Sequence, residues 1–124
     1  MTSSEFRKMA LSLPGAEERR HMEHPDFRVG GKIFATLHYP NQSWGMVKLF
    51  PDQQKELVRE EPAAFLPVNG AWGRQGATQV NLKAAKKMKL RAALEMAWEK
   101  AAPRATVKEK AEGAKQRAKP GKKK

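Results

Sequence analysis

The sequence contains no cysteine among its 124 residues. Disulfide bonds and thiolate-ligated metal sites are therefore excluded, and the absence is typical of proteins from a reducing compartment. No apolar run approaches the roughly 20 residues that a membrane-spanning helix requires, and the first residues lack the basic and then apolar layout of a signal peptide. We expect a soluble cytoplasmic protein with no membrane partner, monomeric by default.

Motifs that indicate a familiar enzyme are also missing. The chain has no P-loop, no nucleophile elbow, no zinc-ligand spacing and no dinucleotide fingerprint. His21 and His24 are three residues apart, and residues at that spacing on one strand point to opposite faces, which argues against shared ligation of a metal unless a bend intervenes. His38 has no recognisable partner. We therefore expect no enzymatic activity, no catalytic residue, no cofactor and no metal.

Positive charge is the most unbalanced property of the chain. Lys and Arg number 25 against 13 Asp and Glu, which gives a net charge of +12. Residues 1–100 contain 16 basic and 11 acidic side chains, whereas residues 101–124 contain nine basic and two acidic ones. Such a field attracts polyanions, and nucleic acid is the commonest polyanion in a cytoplasm. The alternative is a protein with a charged tail and no specific partner.

The segment from His24 to Leu37 predicts two short strands joined by a tight turn. Gly30 and Gly31 can supply the two positive φ angles that such a hairpin needs, and the flanking residues alternate between apolar and polar. Arg28 and Lys32 bracket the turn, so cationic side chains lie near its tip. A rigid hairpin of this kind can enter a groove or lie along a phosphate strand.

The remaining pattern predicts an α+β domain over residues 1–103, with helices on one face of an antiparallel sheet of about five or six strands. Three helices are predicted, from residue 3 or 4 to 13, from 51 to 61 and from 83 to 102. The predicted strands are residues 18–22, 27–29, 32–39, 44–50, 64–68 and 77–82, with a glycine-rich loop over 70–76. Residues 104–124 form a Lys/Ala-rich basic tail that is too polar to fold alone and is expected to be disordered.

The start of the last predicted helix carries five cations and no acid: Lys83, Lys86, Lys87, Lys89 and Arg91. A helix N-terminus is partially positive, so this placement is unfavourable unless an anion such as phosphate lies nearby. The alternative is that solvated lysines cost little at physiological salt. In the glycine-rich loop, Arg74 adds a further cation, and Trp72 either stacks on a base or covers the edge of the core.

Four segments of this sequence resemble the MmcQ/YjbR family, and the resemblance covers residues 3–103. They are residues 13–18, 24–35, 70–76 and the pair 97–98. The resemblance implies a compact α+β fold similar to the frataxin-like CyaY topology, and DNA binding through a proposed double wing of strands. It also implies that Arg28, Lys32, Trp72 and Arg74 lie in the family's shared surface. Relatives often have a second tryptophan after the glycine-rich loop, where this chain has Ala77.

We therefore hypothesise a non-enzymatic nucleic-acid-binding protein, with DNA as the favoured partner and association with the nucleoid as a variant of the cytoplasmic location. Phosphate contacts are assigned to Arg28, Lys32, Arg74, Lys83, Lys86, Lys87, Lys89 and Arg91, and base stacking to Trp72. One alternative is an interaction module whose basic tail meets an acidic protein. Another is a small-ligand or metal site in a pocket around His24, Asp26 and Trp72.

Overall fold

A computed structural model describes residues 1–21, 24–39 and 41–103, so the predicted basic tail, residues 104–124, lies outside the described residues. Four helices and six strands follow one another within the described part. In chain order they are α1 (Ser3–Leu11), β1 (Glu17–His21), β2 (His24–Val29), β3 (Lys32–Leu37), β4 (Trp44–Lys48), α2 (Pro51–Glu60), β5 (Phe65–Pro67), α3 (Ala71–Arg74), β6 (Ala77–Asn81) and α4 (Lys87–Ala101).

The six strands form one antiparallel sheet in the order β1-β2-β3-β4-β6-β5. The two edges are poor templates for pairing with another chain. Four of the five residues of β1 at one edge, Glu17 to Arg20, are charged, and β5 at the other edge has three residues and ends in Pro67. Charge, short length and proline at an edge all oppose further strand addition.

One face of the sheet forms the core against α1 and α4. Phe27, Ala35, Val47 and Thr78 are neighbours in register across four strands and are fully buried. Apolar side chains of the two helices meet this row: Phe6, Met9 and Ala10 from α1, and Leu90, Ala93, Leu94, Ala97 and Trp98 from α4. The indole nitrogen of Trp98 also donates a 2.8 Å hydrogen bond to the Pro14 carbonyl. Burial of this apolar surface is the main stabilising term of the fold.

The next row of side chains points away from α1 and α4, because successive residues of a strand face opposite sides of the sheet. Asp26, Thr36, Met46 and Gln79 are neighbours in register along this row. We call this side of the sheet the open face. The short helix α3 places Trp72 beside it, where the indole lines a cavity together with Thr36 and Met46.

The predicted α+β fold and its antiparallel sheet are confirmed. Gly30 and Gly31 have φ angles of 59° and 83°, as the predicted hairpin turn requires. The prediction of three helices was wrong by one, because residues 71–74 of the glycine-rich loop form α3. The first helix ends at Leu11, two residues earlier than predicted.

The last helix begins at Lys87 rather than at Lys83. Its predicted first residues instead form a turn anchored on Asn81. The Asn81 side-chain oxygen accepts the Lys83 N–H at 3.1 Å, and the Asn81 carbonyl accepts the N–H groups of Ala84 and Ala85. An asparagine that bonds the following backbone competes with helix formation, which explains the late start.

His21 and His24 do not share one strand, so the strand geometry that argued against shared ligation does not apply to them. They are Cα partners on the neighbouring strands β1 and β2. In the described part of the chain, no group of three or more His, Cys, Asp or Glu side chains is arranged to hold a metal ion. None of the described helices combines the length and apolarity that crossing a membrane requires.

Candidate binding site on the open face of the sheet

Four cationic side chains converge on one groove beside the tip of the β2–β3 hairpin. Arg28 and Lys32 come from the hairpin, Lys48 from the end of β4, and Lys100 from the last turn of α4. The groove has a volume of about 360 Å³, and Gly31, Ile33, Ala97 and Ala101 complete its lining. We call it the cationic groove.

The charge of the cationic groove is only partly neutralised by the protein. Arg28 donates to both carboxylate oxygens of Asp26, at 2.8 and 3.1 Å. Among the described residues, Lys32, Lys48 and Lys100 form no ion pair with a carboxylate. Burial lowers the pKa of Lys48, and the charge of Lys100 lowers it further, while Asp26 opposes both effects. The two lysines therefore repel each other, and an anion between them would be stabilised.

A second cavity, of about 480 Å³, adjoins the cationic groove on the open face. Ile33 and Lys48 line both. The remaining lining residues of this cavity are His24, Asp26, Thr36, Tyr39, Met46 and Trp72. We call it the aromatic cavity, because three aromatic rings follow one another along its wall. The ring centroids of His24 and Tyr39 are 5.9 Å apart, and those of Tyr39 and Trp72 are 6.5 Å apart.

Trp72 combines exposure with a fixed position. Its side chain is 52% exposed, and the Lys48 amino group lies 5.6 Å from its ring centroid, within the range of a cation–π contact. The other polar group of note is the carboxylate of Asp26, whose side chain is almost fully buried. The Nδ1 atom of His24 is buried and has no hydrogen-bond partner among the described residues.

The segment that carries Trp72 is held by close backbone packing. A Cβ atom at Gly73 would lie 1.6 Å from the Val68 carbonyl oxygen, and one at Gly76 would lie 1.8 Å from that of Leu49. No other residue type fits at such approaches. The buried side-chain amide of Gln54 donates to the carbonyls of Gly73 and Ala77, at 2.9 Å each. The sequence motif of glycines thus serves to seat α3 tightly.

The lysines at the start of α4 lie elsewhere and have carboxylate partners from α1 and α2. The pairs are Lys86–Glu61 at 3.8 Å, Lys87–Glu5 at 3.6 Å and Lys89–Glu60 at 2.6 Å. The hydrogen bond to Glu60 raises the pKa of Lys89. The predicted crowding of charge is therefore relieved within the protein, without a phosphate. Lys100 lies eleven positions after Lys89 along α4, which corresponds to about 16 Å.

The other predicted phosphate contacts are dispersed as well. Arg74 lines a separate groove of about 1000 Å³ together with Lys55 and Gln54 of α2. Lys83 and Arg91 are exposed and line neither the cationic groove nor the aromatic cavity. Of the predicted cations, the structure brings Arg28 and Lys32 together, and it places Trp72 in the cavity next to them.

Sequence reasoning missed Lys48, Lys100 and Tyr39. Each is an isolated residue in its own segment, and the three come from β4, α4 and the residues after β3. The available signal was the alternation of β4, which places Met46 and Lys48 on the same face of a strand. The hypothesis of a site around His24, Asp26 and Trp72 did group residues correctly, since all three line the aromatic cavity.

Comparison with known proteins bears on the fold and the family. The family model YjbR matches residues 11–100 of this chain. The crystal structure of protein DR2400 from Deinococcus radiodurans, with the family-model domain DUF419, is similar to this chain with a TM-score of 0.69. That similarity covers 87% of this chain and 86% of the other at 20% sequence identity, so it shows a shared fold. Among curated proteins, none matches this sequence significantly.

Proposed function

This chain belongs to the YjbR family, and we propose that it binds nucleic acid with phosphates in the cationic groove and with the rest of the ligand on the adjoining open face of the sheet. The observation that supports this most directly is the convergence of Arg28, Lys32, Lys48 and Lys100 from three separate parts of the chain. Cations that are brought together at a cost in mutual repulsion, and with one carboxylate between them, favour an anionic ligand.

Several features favour a phosphate polymer over a lone anion. The groove is open and continues into the aromatic cavity, so a ligand can extend along the sheet. The net charge of +12 adds a long-range attraction that a polyanion exploits far more than a small anion does. Each lysine that neutralises a phosphate releases condensed counterions, which is the main source of affinity in such complexes.

The experiment compares two triple variants of the full chain with the same loss of charge. One changes Lys32, Lys48 and Lys100 to glutamine. The matched control changes Lys86, Lys87 and Lys89 to glutamine. Binding to a fluorescent 12-nucleotide DNA single strand is titrated at several salt concentrations by anisotropy.

We expect the groove variant to lower the steepness of log K against log salt by about 2, since each phosphate contact on a single strand contributes about 0.7. The control should change the steepness by less than half as much, because its lysines pair with carboxylates. Equal losses in the two variants would indicate diffuse attraction without a site. Absence of salt-dependent binding in the unmodified chain would refute the proposed function itself.

A further inference from the structure

The aromatic cavity offers a site of a different kind from the cationic groove. We propose that it binds one unpaired nucleobase, whose attached phosphate occupies the cationic groove. This inference rests on the proposed function and makes it specific, because a base can enter the cavity only from a single strand. The ligand chemistry is that of a nucleotide unit, namely a planar heteroaromatic ring joined to a phosphate.

The size and lining of the cavity fit a planar ring. Its volume of about 480 Å³ lies within the range of small-molecule sites, about 300–1,000 Å³. Trp72 and Tyr39 present two ring surfaces at a tilt of 43° to each other, so neither ring stacks face to face on the other. Ile33 and Met46 add apolar contacts. Aromatic surfaces of this kind bind bases with little regard to sequence, because every base has a π-face.

The exposure of Trp72 is maintained by the fold. Helix α3 is seated by the glycine contacts and by the two hydrogen bonds of Gln54, so the backbone that carries the indole is held in place, and the ring itself contacts Tyr39 and Lys48. A rigid aromatic side chain loses little conformational entropy when a ligand stacks on it. The half-exposed ring is therefore preorganised for binding.

Charge fixes the orientation of the ligand. The Asp26 carboxylate, whose two oxygens accept from Arg28, lies at one side of the cavity and disfavours a phosphate there. The buried His24 Nδ1 atom, which lacks a partner in the described part of the chain, adds a second polar group on the same wall. Lys48 stands where the cavity meets the groove, so a phosphate attached to the ring falls among the cations.

Base-paired DNA cannot satisfy this arrangement. In a duplex each base is stacked on both faces and its polar edge is paired, so it reaches an enclosed pocket only after extrusion. Proteins that recognise single strands instead stack splayed bases on exposed aromatic rings. The aromatic cavity therefore favours single strands over duplexes.

The test uses a 12-nucleotide DNA single strand with one central 2-aminopurine, its duplex with the complementary strand, and free adenosine monophosphate. The proteins are the full chain, Trp72→Leu and Trp72→Phe. Met88→Ala is the control, because Met88 is a highly exposed apolar residue that lines neither the groove nor the cavity. Affinity is measured by anisotropy, and stacking by quenching of 2-aminopurine fluorescence.

We expect the unmodified chain to prefer the single strand to the duplex and to quench the 2-aminopurine. Trp72→Leu should weaken single-strand binding roughly 5- to 100-fold and abolish the quenching, whereas duplex binding changes less than about twofold. Trp72→Phe should restore most of the affinity, and Met88→Ala should match the unmodified chain. Circular dichroism checks that each variant is folded.

The two proposals fail in different ways. If the affinity for the single strand depends on salt as expected but Trp72→Leu leaves affinity and quenching unchanged, the base site is refuted and the proposed function stands. If no DNA binds while adenosine monophosphate does so through Trp72, the ring site stands with a free nucleotide as its ligand, and the proposed function is refuted. If no probe binds to the unmodified chain, both are refuted.

Discussion

Replacing Gln54 with leucine tests how the segment that carries Trp72 is held in place. The side chain of Gln54 is 6% exposed, and its amide donates to the Gly73 and Ala77 carbonyls at 2.9 Å each. Leucine has a similar volume and no donor. The substitution therefore removes two buried hydrogen bonds, one from α2 to α3 and one from α2 to the first residue of β6, with little change in packing.

The size of the effect follows from what each carbonyl retains. The Gly73 carbonyl still accepts the Gly76 N–H at 3.0 Å, and the Ala77 carbonyl still accepts the Val68 N–H at 3.0 Å. Neither oxygen is left without a partner, so each lost bond costs about 0.5–1.5 kcal/mol rather than a full desolvation penalty. We expect Gln54→Leu to lower the free energy of unfolding by about 1–3 kcal/mol.

The assay is urea unfolding at neutral pH, followed by circular dichroism, with Lys55→Leu as the control. Lys55 is the next residue of α2 and is exposed, so its replacement should change stability by less than about 0.5 kcal/mol. An unfolding midpoint of Gln54→Leu equal to that of the unmodified chain would contradict the reasoning.

Gln54→Glu provides an independent check of the same contact. At neutral pH a carboxylate at this position would face two carbonyl oxygens, and we expect a larger loss of stability than in Gln54→Leu. Burial raises the pKa of such a carboxyl in the folded state, so the folded protein binds the proton more tightly than the unfolded chain does. The variant should therefore recover stability relative to the unmodified protein as the pH falls from about 7 to about 5. A loss that does not depend on pH would contradict this account.

Two further predictions concern backbone conformation and pH. Gly76→Ala should lower the free energy of unfolding in urea by at least about 3 kcal/mol, because the φ of Gly76 is 113° and the new Cβ meets the Leu49 carbonyl. Gly31 has a φ of 83° and open space around it, so Gly31→Ala should lower it by only about 1–2 kcal/mol. Equal losses would contradict the steric argument. Burial lowers the pKa of His38 below its ordinary value of 6.5 in the folded protein. As the pH falls below about 6.5, the unfolded chain therefore binds a proton that the folded protein does not, and stability falls. Asparagine tolerates the positive φ of 61° at this position, so His38→Asn should remain folded and should reduce the loss of unfolding free energy below about pH 6.5. An unchanged pH dependence would show that another group titrates there.

The elements with a clear period could be predicted from the sequence. The Gly30–Gly31 pair between alternating flanks specifies its own turn, and the apolar stripe from Leu90 to Trp98 specifies the buried face of α4. Helix α3 could not be predicted in the same way. Four residues are too few to show a helical period, and the glycines around Trp72 favour irregular structure until tertiary contacts hold them.

The candidate site depends on contacts between distant parts of the chain, which no local pattern reveals. Lys48 and Lys100 meet because the end of α4 packs near the tip of the β2–β3 hairpin. The lysines at the start of α4 showed a stronger local signal, but Glu5, Glu60 and Glu61 reach them from other helices. A run of charge in a sequence indicates composition, whereas the balance of charge at a site is set by tertiary structure.

The charge of the cationic groove also limits what it can bind alone. Four cations and the Asp26 carboxylate leave about three positive charges, and the C-terminal end of α4 removes roughly half a charge more. This balance suits two or three phosphates. Pro103, the last described residue, packs against Gly30 at the hairpin tip, and nine more basic residues follow it in the sequence. If the proposed function holds, a strand seated in the groove would lie next to Pro103, and we expect the basic residues that follow Pro103 in the sequence to add affinity through counterion release.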